Sequence, residues 1–356
     1  MNILLTSDWQ LSANPRDKYR LDFLPWLLER VRSRIIDDLY ILGDLTEEKD
    51  GHPGWLVNTI VGCLSEIAKE TTITIIPGNH DGMNPKEPFF QFLNSIPKCS
   101  IFLSPHYLGD KLFLPFTKNP AKEWESSLSR KPRLIFAHQE FKGAKLTGKK
   151  TSEANTPVPN NPFLILSGHI HTPHEFNLGK GKIVYVGSPY PVDFGDDFMG
   201  GIIHLDLNNK FPEKSEYERV PYKQAPKRSV IHLDHKMLGK PPSSLKLWSF
   251  LKKGDQIKIK ANLNPESLNS KWPEFKKEIL EKCSSLGIEV LGMETIVENI
   301  IDTQGDEEKE KLGQGTPLEI LEKYCMAENI DPDSELGGMG KEIVKEVPVP
   351  EAEDEE

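Results

Sequence analysis

Short apolar runs rich in Ile, Leu and Val punctuate the first two hundred residues, at 3–6, 39–42, 72–76, 134–137, 163–166, 183–186 and 201–205. Their length and composition are those of buried strands. Between the first three lie two longer stretches, 21–36 and 56–68, whose apolar residues recur at helical spacing. That order predicts βαβαβ crossovers, and hence a mainly parallel core with helices outside it. In such folds ligands collect at the carboxyl ends of the strands.

The pattern then changes. Residues 142–161 are polar, with Lys142, Lys145, Lys149 and Lys150 followed by Thr156-Pro157-Val158-Pro159. A loop this long inside a compact domain is commonly functional. Residues 206–228 are polar and dotted with proline, and 211–228 read as a linker. Beyond it, 229–233 and 256–261 alternate as strands do, 272–285 carries a helical pattern ended by Gly287, and 289–297 alternates again. The prediction is an α/β domain over 1–210 and a small α+β module over 229–300.

Charge divides the chain differently. The net charge of −10 argues at first against a polyanionic partner, but residues 302–356 hold 18 acidic and 5 basic groups. The rest carries 39 basic against 36 acidic groups, so the body is near neutral and the tail (301–356) holds the acid. Inside that tail Thr316-Pro317-Leu318-Glu319 forms a capping box, after which Leu318, Leu321 and Tyr324 share a helix face suited to docking on a partner. The four cysteines are scattered, without a CxxC pair, and read as reduced thiols. The chain shows no signal peptide and no apolar run of membrane length, so a cytoplasmic protein without a membrane span is expected.

The chemistry sits just past the strand-like runs. Asp8-Trp9-Gln10, Gly43-Asp44, Gly78-Asn79-His80-Asp81, His138 and Gly168-His169-Ile170-His171 follow five of them in order. Together they supply carboxylate, amide and imidazole donors without thiolate, the mix that holds hard or borderline divalent ions. Asp44 is the natural carboxylate to bridge two ions, and Asp8 would hold one from the first strand. Asn79 offers an amide oxygen, and His138, His169 and His171 offer imidazole nitrogen. Alternation along an extended segment puts His169 and His171 on the same side.

Taken together, these motifs resemble those of the calcineurin-like metallophosphoesterases over residues 1–205. Tyr185-Val186-Gly187-Ser188-Pro189 followed by Asp193-Phe194-Gly195 is further similar to SbcD-type nuclease subunits, which work with an SMC-like SbcC ATPase in recombination and repair. The resemblance implies a four-layer α/β/β/α sandwich with a small capping domain and a partner-binding tail. It implies two divalent ions, manganese or else magnesium. Asp8, Gln10, Asp44 and His171 would surround the first ion, and Asp44, Asn79, His138 and His169 the second. It makes a metal-bound hydroxide the nucleophile and His80 the proton donor to the leaving oxygen, with Asp81 orienting His80. It implies DNA as substrate, an SbcC-type partner and a homodimer, for which 56–68 and 89–96 are the apolar interface candidates. The lysines 142, 145, 149 and 150 are then candidates for DNA contact.

One position departs from the family pattern of Asp-x-His, because Gln10 stands where imidazole is expected. An amide oxygen can bind a hard cation but is a weaker donor, which would cost tenfold to more than a hundredfold in affinity for a loss of ~1.4–3 kcal/mol. His52 is the one nearby imidazole that could replace it. Two other functions stay open on the sequence: a phosphodiesterase acting on nucleotides or other small molecules, and a scaffold subunit whose first metal site is lost.

Overall fold

A computed structural model describes residues 1–132, 134–146, 150–159, 163–179, 181–196, 198–207 and 216–297. Two six-stranded sheets make up the larger part. The strands are β1 (Asn2–Thr6), β2 (Asp38–Leu42), β3 (Thr72–Ile76), β4 (Cys99–Ile101), β5 (His106–Leu108), β6 (Lys111–Leu114), β7 (Leu134–His138), β8 (Leu164–Gly168), β9 (His174–Leu178), β10 (Gly181–Tyr185), β11 (Gly201–Asp206) and β12 (Glu216–Pro221). The first sheet runs β12-β11-β1-β2-β3-β4 and the second β5-β6-β7-β8-β10-β9. In each the central pairs are parallel, as expected from the crossovers, while β11, β12, β5 and β9 are antiparallel additions.

Period-2 alternation explains the layering. Ile3, Leu5, Leu42, Phe136, Leu166 and Val184 meet in one core shared by both sheets. Their neighbours Leu4, Ile41, Ile73 and Ile75 face the other way, against helices α1 (Phe23–Arg32) and α2 (Gly54–Glu70). On the far side Leu112, Ile135, Ala137 and Ile165 pack with Trp124, between the short helices α3 (Pro120–Glu123) and α4 (Glu125–Leu128). The result is the α/β/β/α sandwich of the metallophosphoesterase fold. α2 spends its apolar face on this core, since Leu56, Ile60, Leu64 and Ile67 are all buried. Residues 89–96, the second apolar interface candidate, form a 3₁₀ segment over Phe89–Ser95. Trp55 and Phe92 are the exposed aromatic residues of these two segments.

The expected linker over 211–228 is not one throughout. β12 occupies part of it and pairs with β11 along its whole length. Its alternation is weak in sequence because it is an edge strand rich in charge, Glu-Tyr-Glu-Arg-Val-Pro.

The smaller module is a three-stranded sheet, β13 (Arg228–Asp234), β14 (Gln256–Leu263) and β15 (Glu289–Val297), in that order. Helix α6 (Trp272–Leu286; α5 is the short Pro265–Ser270) covers it with Trp272, Phe275, Ile279 and Cys283. Gly287 ends α6 in the left-handed conformation, at φ 66°, and its N–H and that of Ile288 close on Ser284 and Cys283. Met1–Leu263 and Ser267–Ile296 pack as one compact unit. Leu318, Leu321 and Tyr324, the expected partner-binding face, lie outside the described residues.

Candidate metal centre

β1, β2 and β3 lie parallel in one sheet, β7 and β8 parallel in the other, and all five point their carboxyl ends at one place. The turns after β1 and β2 are zipped by backbone hydrogen bonds, Asp8 N–H to Gly43 O, Gln10 N–H to Asp44 O and Leu11 N–H to Leu45 O, each 3.0 Å. Asp8, Gln10, Asp44 and His169 all adopt positive φ, at 52°, 45°, 57° and 83°. This left-handed backbone costs a non-glycine residue about 1 kcal/mol or more, and clustering of such residues marks functional sites. Gly78 is required for a different reason. A Cβ there would collide with the Asp44 carboxylate and with the His138 ring.

Donor atoms of Asp8, Asp44 and His138 lie within 4.8 Å of one another, all buried. Nδ1–H of His138 donates to Leu42 O at 2.6 Å, which leaves Nε2 facing Asn79 Oδ1 at 3.1 Å and Asp44 Oδ2 at 3.5 Å. His169 Nδ1 approaches the same Asn79 oxygen at 2.7 Å. Donors around one ion at ~2.1 Å stand roughly 3 Å apart, so Asn79 and Asp44 stand about the right distance from His138 to share an ion with it, while His169 reaches this group through Asn79 and lies outside the 4.8 Å cluster. Asp8 is braced by Ser7 Oγ–H (2.6 Å), by His169 N–H (3.0 Å) and, at its carbonyl, by Ser188 Oγ–H (2.8 Å). His171 is half-buried; it lies outside the 4.8 Å group, and its charge acts on Asp8.

Gln10 is 1% exposed. Its Nε2–H donates to Asp44 Oδ2 at 2.9 Å, while Oε1 is buried without a partner. A buried amide oxygen left unpaired is costly, and a cation is the partner that this donor set fits. His52 does not serve here. Its ring lies against Phe89 and Phe90, at 4.4 and 5.3 Å, with Thr46 Oγ1 at 3.4 Å.

Electrostatics agree with this fit. Burial works to raise the Asp44 carboxyl, but the opposing His138 charge holds it at about 2. Burial works against a cation on His138, yet Asp44 and then Asp8 lift it to about 9. His169 is pushed down to about 4 by burial and by His138, and so stays a neutral donor. Positive charge is favoured between the carboxylates.

Asp81 corrects the sequence reading. Its carboxylate does not hold His80. It accepts backbone N–H bonds from Gly78 (2.7 Å), Asp44 (2.8 Å) and Leu45 (2.9 Å), tying the β2 and β3 loops together. The His80 ring is held instead by Glu47 O, which accepts from Nδ1–H at 2.7 Å, and the His80 N–H donates to Asp44 Oδ1 at 2.7 Å.

Arg20 was not legible as a site residue. Buried under the cluster, it donates to Gln10 O, to Glu47 Oε2 (2.7 Å) and to Val192 O (3.3 Å). It thereby touches both the Gln10 turn and the residue that holds His80. Ser7 and Ser188 were also missed, although each lies inside or beside a motif already singled out.

The lysines separate. Lys145 lines a cavity with His169, His171, Glu140, Asp193 and Asp196, beside the donor cluster. Its N–H donates to His174 Nε2 at 3.0 Å. Lys142 points its charge at Glu153, 2.8 Å away, Lys150 is exposed, and Lys149 lies outside the described residues.

Residues 1–173 match the family model described as calcineurin-like phosphoesterase. Proteins 078R of Invertebrate iridescent virus 3 and 244L of Invertebrate iridescent virus 6, both described as phosphoesterases, are 24% and 26% identical. The matches cover 60% and 72% of this chain, and 64% and 90% of those proteins. The SbcD component of the nuclease SbcCD from Escherichia coli (strain K12) is 22% identical over 93% of this chain and 94% of its own. Among the described residues no helix is long and apolar enough to cross a membrane.

Proposed function

Because this chain carries a calcineurin-like phosphoesterase domain over residues 1–173, we propose that it is a divalent-metal phosphodiesterase that cleaves DNA, acting as the nuclease subunit beside an SbcC-type ATPase and as a homodimer. The observation that carries the chemistry is the buried cluster of Asp8, Asp44 and His138, with Asn79 between His138 and His169 and Gln10 adjoining Asp44. Two features support DNA as substrate: similarity to the SbcD component of SbcCD along nearly the whole chain, and Lys145 in the cavity beside His169 and His171.

Asp8, Gln10, Asp44 and His171 would hold one ion, and Asp44, Asn79, His138 and His169 the other, with manganese suited to these oxygen and nitrogen donors. When bound, the ions neutralise phosphoryl charge and supply an activated water near neutral pH. The protein does the rest. With His80 Nδ1–H engaged by Glu47 O, Nε2 is the nitrogen left to carry a proton to the leaving oxygen. His80→Asn should lower kcat by ~10²–10⁴ while Mn²⁺ binding by calorimetry stays unchanged. An unaltered kcat would remove His80 from the reaction.

Gln10 spends its amide nitrogen on Asp44, so its oxygen is the atom available to a cation. Gln10→His should tighten Mn²⁺ binding at the weaker site by roughly tenfold or more, read by titration calorimetry. No change in affinity would place Gln10 outside the metal sphere.

The substrate is tested by incubating the protein and Mn²⁺, then Mg²⁺, with labelled duplex, hairpin and single-stranded DNA and with a chromogenic phosphodiester. DNA degradation supports the nuclease. Hydrolysis of the small ester alone, with an SbcC-type ATPase present, overturns DNA as substrate.

A further inference from the structure

We propose that the cavity behind Phe116 is a subsite for a single unpaired nucleobase, the one next to the scissile phosphate. The proposal rests on the DNA reading above and adds to it how the strand is held. Phe116 stands between the donor cluster and this cavity. Its N–H is pinned to Pro77 O at 2.9 Å, in the loop that presents Asn79. Its ring lies nearly parallel to His169, with centroids 5.9 Å apart and an interplanar angle of 28°, and edge-on to His138 at 6.3 Å. Phe116 also lines the cavity, whereas neither histidine does.

The cavity wall continues through the apolar Leu103, Pro105, Pro115 and Trp124, with the polar Asn84 and Thr117 beside them. Its space of about 160 Å³ is well below the ~300–1,000 Å³ of sites for drug-sized ligands. That scale suits a single ring system better than a base pair. Lys86 and Lys118, both exposed, stand among the lining residues with one carboxylate, Glu123. The ligand proposed has an aromatic ring adjoining phosphate, with its phosphate end directed past Phe116 toward the histidines that Phe116 touches. A nucleotide unit of a polynucleotide has that form. Stacking on an aromatic side chain holds a base without regard to sequence.

The consequence is a requirement for unpaired bases at the cut, met by single strands or frayed ends. Equilibrium binding is measured by fluorescence anisotropy, with the full chain, for a labelled oligothymidylate and an abasic oligomer of equal length and charge. Wild type should prefer the base-bearing strand by about 5- to 150-fold. Phe116→Leu should bring that preference close to one, and Phe116→Trp should restore it. Quenching of 2-aminopurine in a single strand bound to wild type reads the stacking without any variant. Equal affinity of wild type for both oligomers, or full discrimination retained by Phe116→Leu, would overturn the subsite while leaving the DNA reading intact. Failure of wild type to bind either oligomer would overturn both.

Discussion

Asp44→Asn should leave a folded protein whose phosphodiesterase activity is lower by ~10³ or more, because several kcal/mol of charge stabilisation reach the transition state through the ions that this carboxylate would share. Asp44 is 1% exposed and is held in place by Gln10 Nε2–H and by the His80 N–H. Asparagine keeps the shape and the acceptor toward His80. It removes the anion that His138 faces at 3.5 Å. The amide also sets a second N–H donor near Gln10 Nε2, which weakens the Gln10 turn. Calorimetric titration with Mn²⁺ should lose most of its heat, and circular dichroism should be unchanged. A variant that keeps a tenth of wild-type activity with undiminished metal binding would show that Asp44 does not bridge.

The second large effect is on stability. Asp81→Asn should cost about 3 kcal/mol or more, because three buried backbone N–H groups converge on the two carboxylate oxygens. Asparagine supplies one oxygen and turns an amide nitrogen toward a donor, so at least one N–H is left unsatisfied and opposed. Thermal melting should fall by several degrees with or without metal. If Asp81 served His80 instead, the substitution would lower kcat and spare the melting temperature. The two outcomes separate a structural carboxylate from a catalytic one.

That contrast shows where sequence reading stops. Donor residues placed directly after apolar runs are legible because strand periodicity and parallel crossovers force those positions to one edge of a sheet. Asp8, Asp44, Asn79, His138 and His169 follow from that rule alone. The partner of Asp81 was not legible, because it is the backbone of a neighbouring loop, and backbone amides leave no trace in residue identity. Arg20 escaped for the same reason, since two of its acceptors are the carbonyls of Gln10 and Val192. The strands β4, β5, β6, β9 and β12 were missed because they are short or polar and owe their existence to a partner strand. One crossover of the second sheet also hides itself. Among the described residues between β7 and β8 there is no helix, where the first sheet uses α1 and α2, so the period-3.6 signal that announces βαβ is absent.

Gln10 now carries two duties that an imidazole would divide differently. Its nitrogen steadies Asp44 and its oxygen is left for a cation. A histidine there has no second donor geometry of that kind once a ring nitrogen is committed to metal. The gain in affinity expected for Gln10→His is therefore measured against some loss of Asp44 alignment, and kcat and metal affinity should respond separately.

The left-handed turns at Asp8, Gln10, Asp44 and His169 set local ease of folding against placement of the donors. At each of these positions glycine would relax the backbone, and at each it would delete a donor. At Asp8 and Asp44 it would also strand the part-buried N–H groups of His169 and His80 that those carboxylates accept. The strain of these turns is thus locked in by the same hydrogen bonds that aim the side chains, so the centre cannot be relaxed without being dismantled.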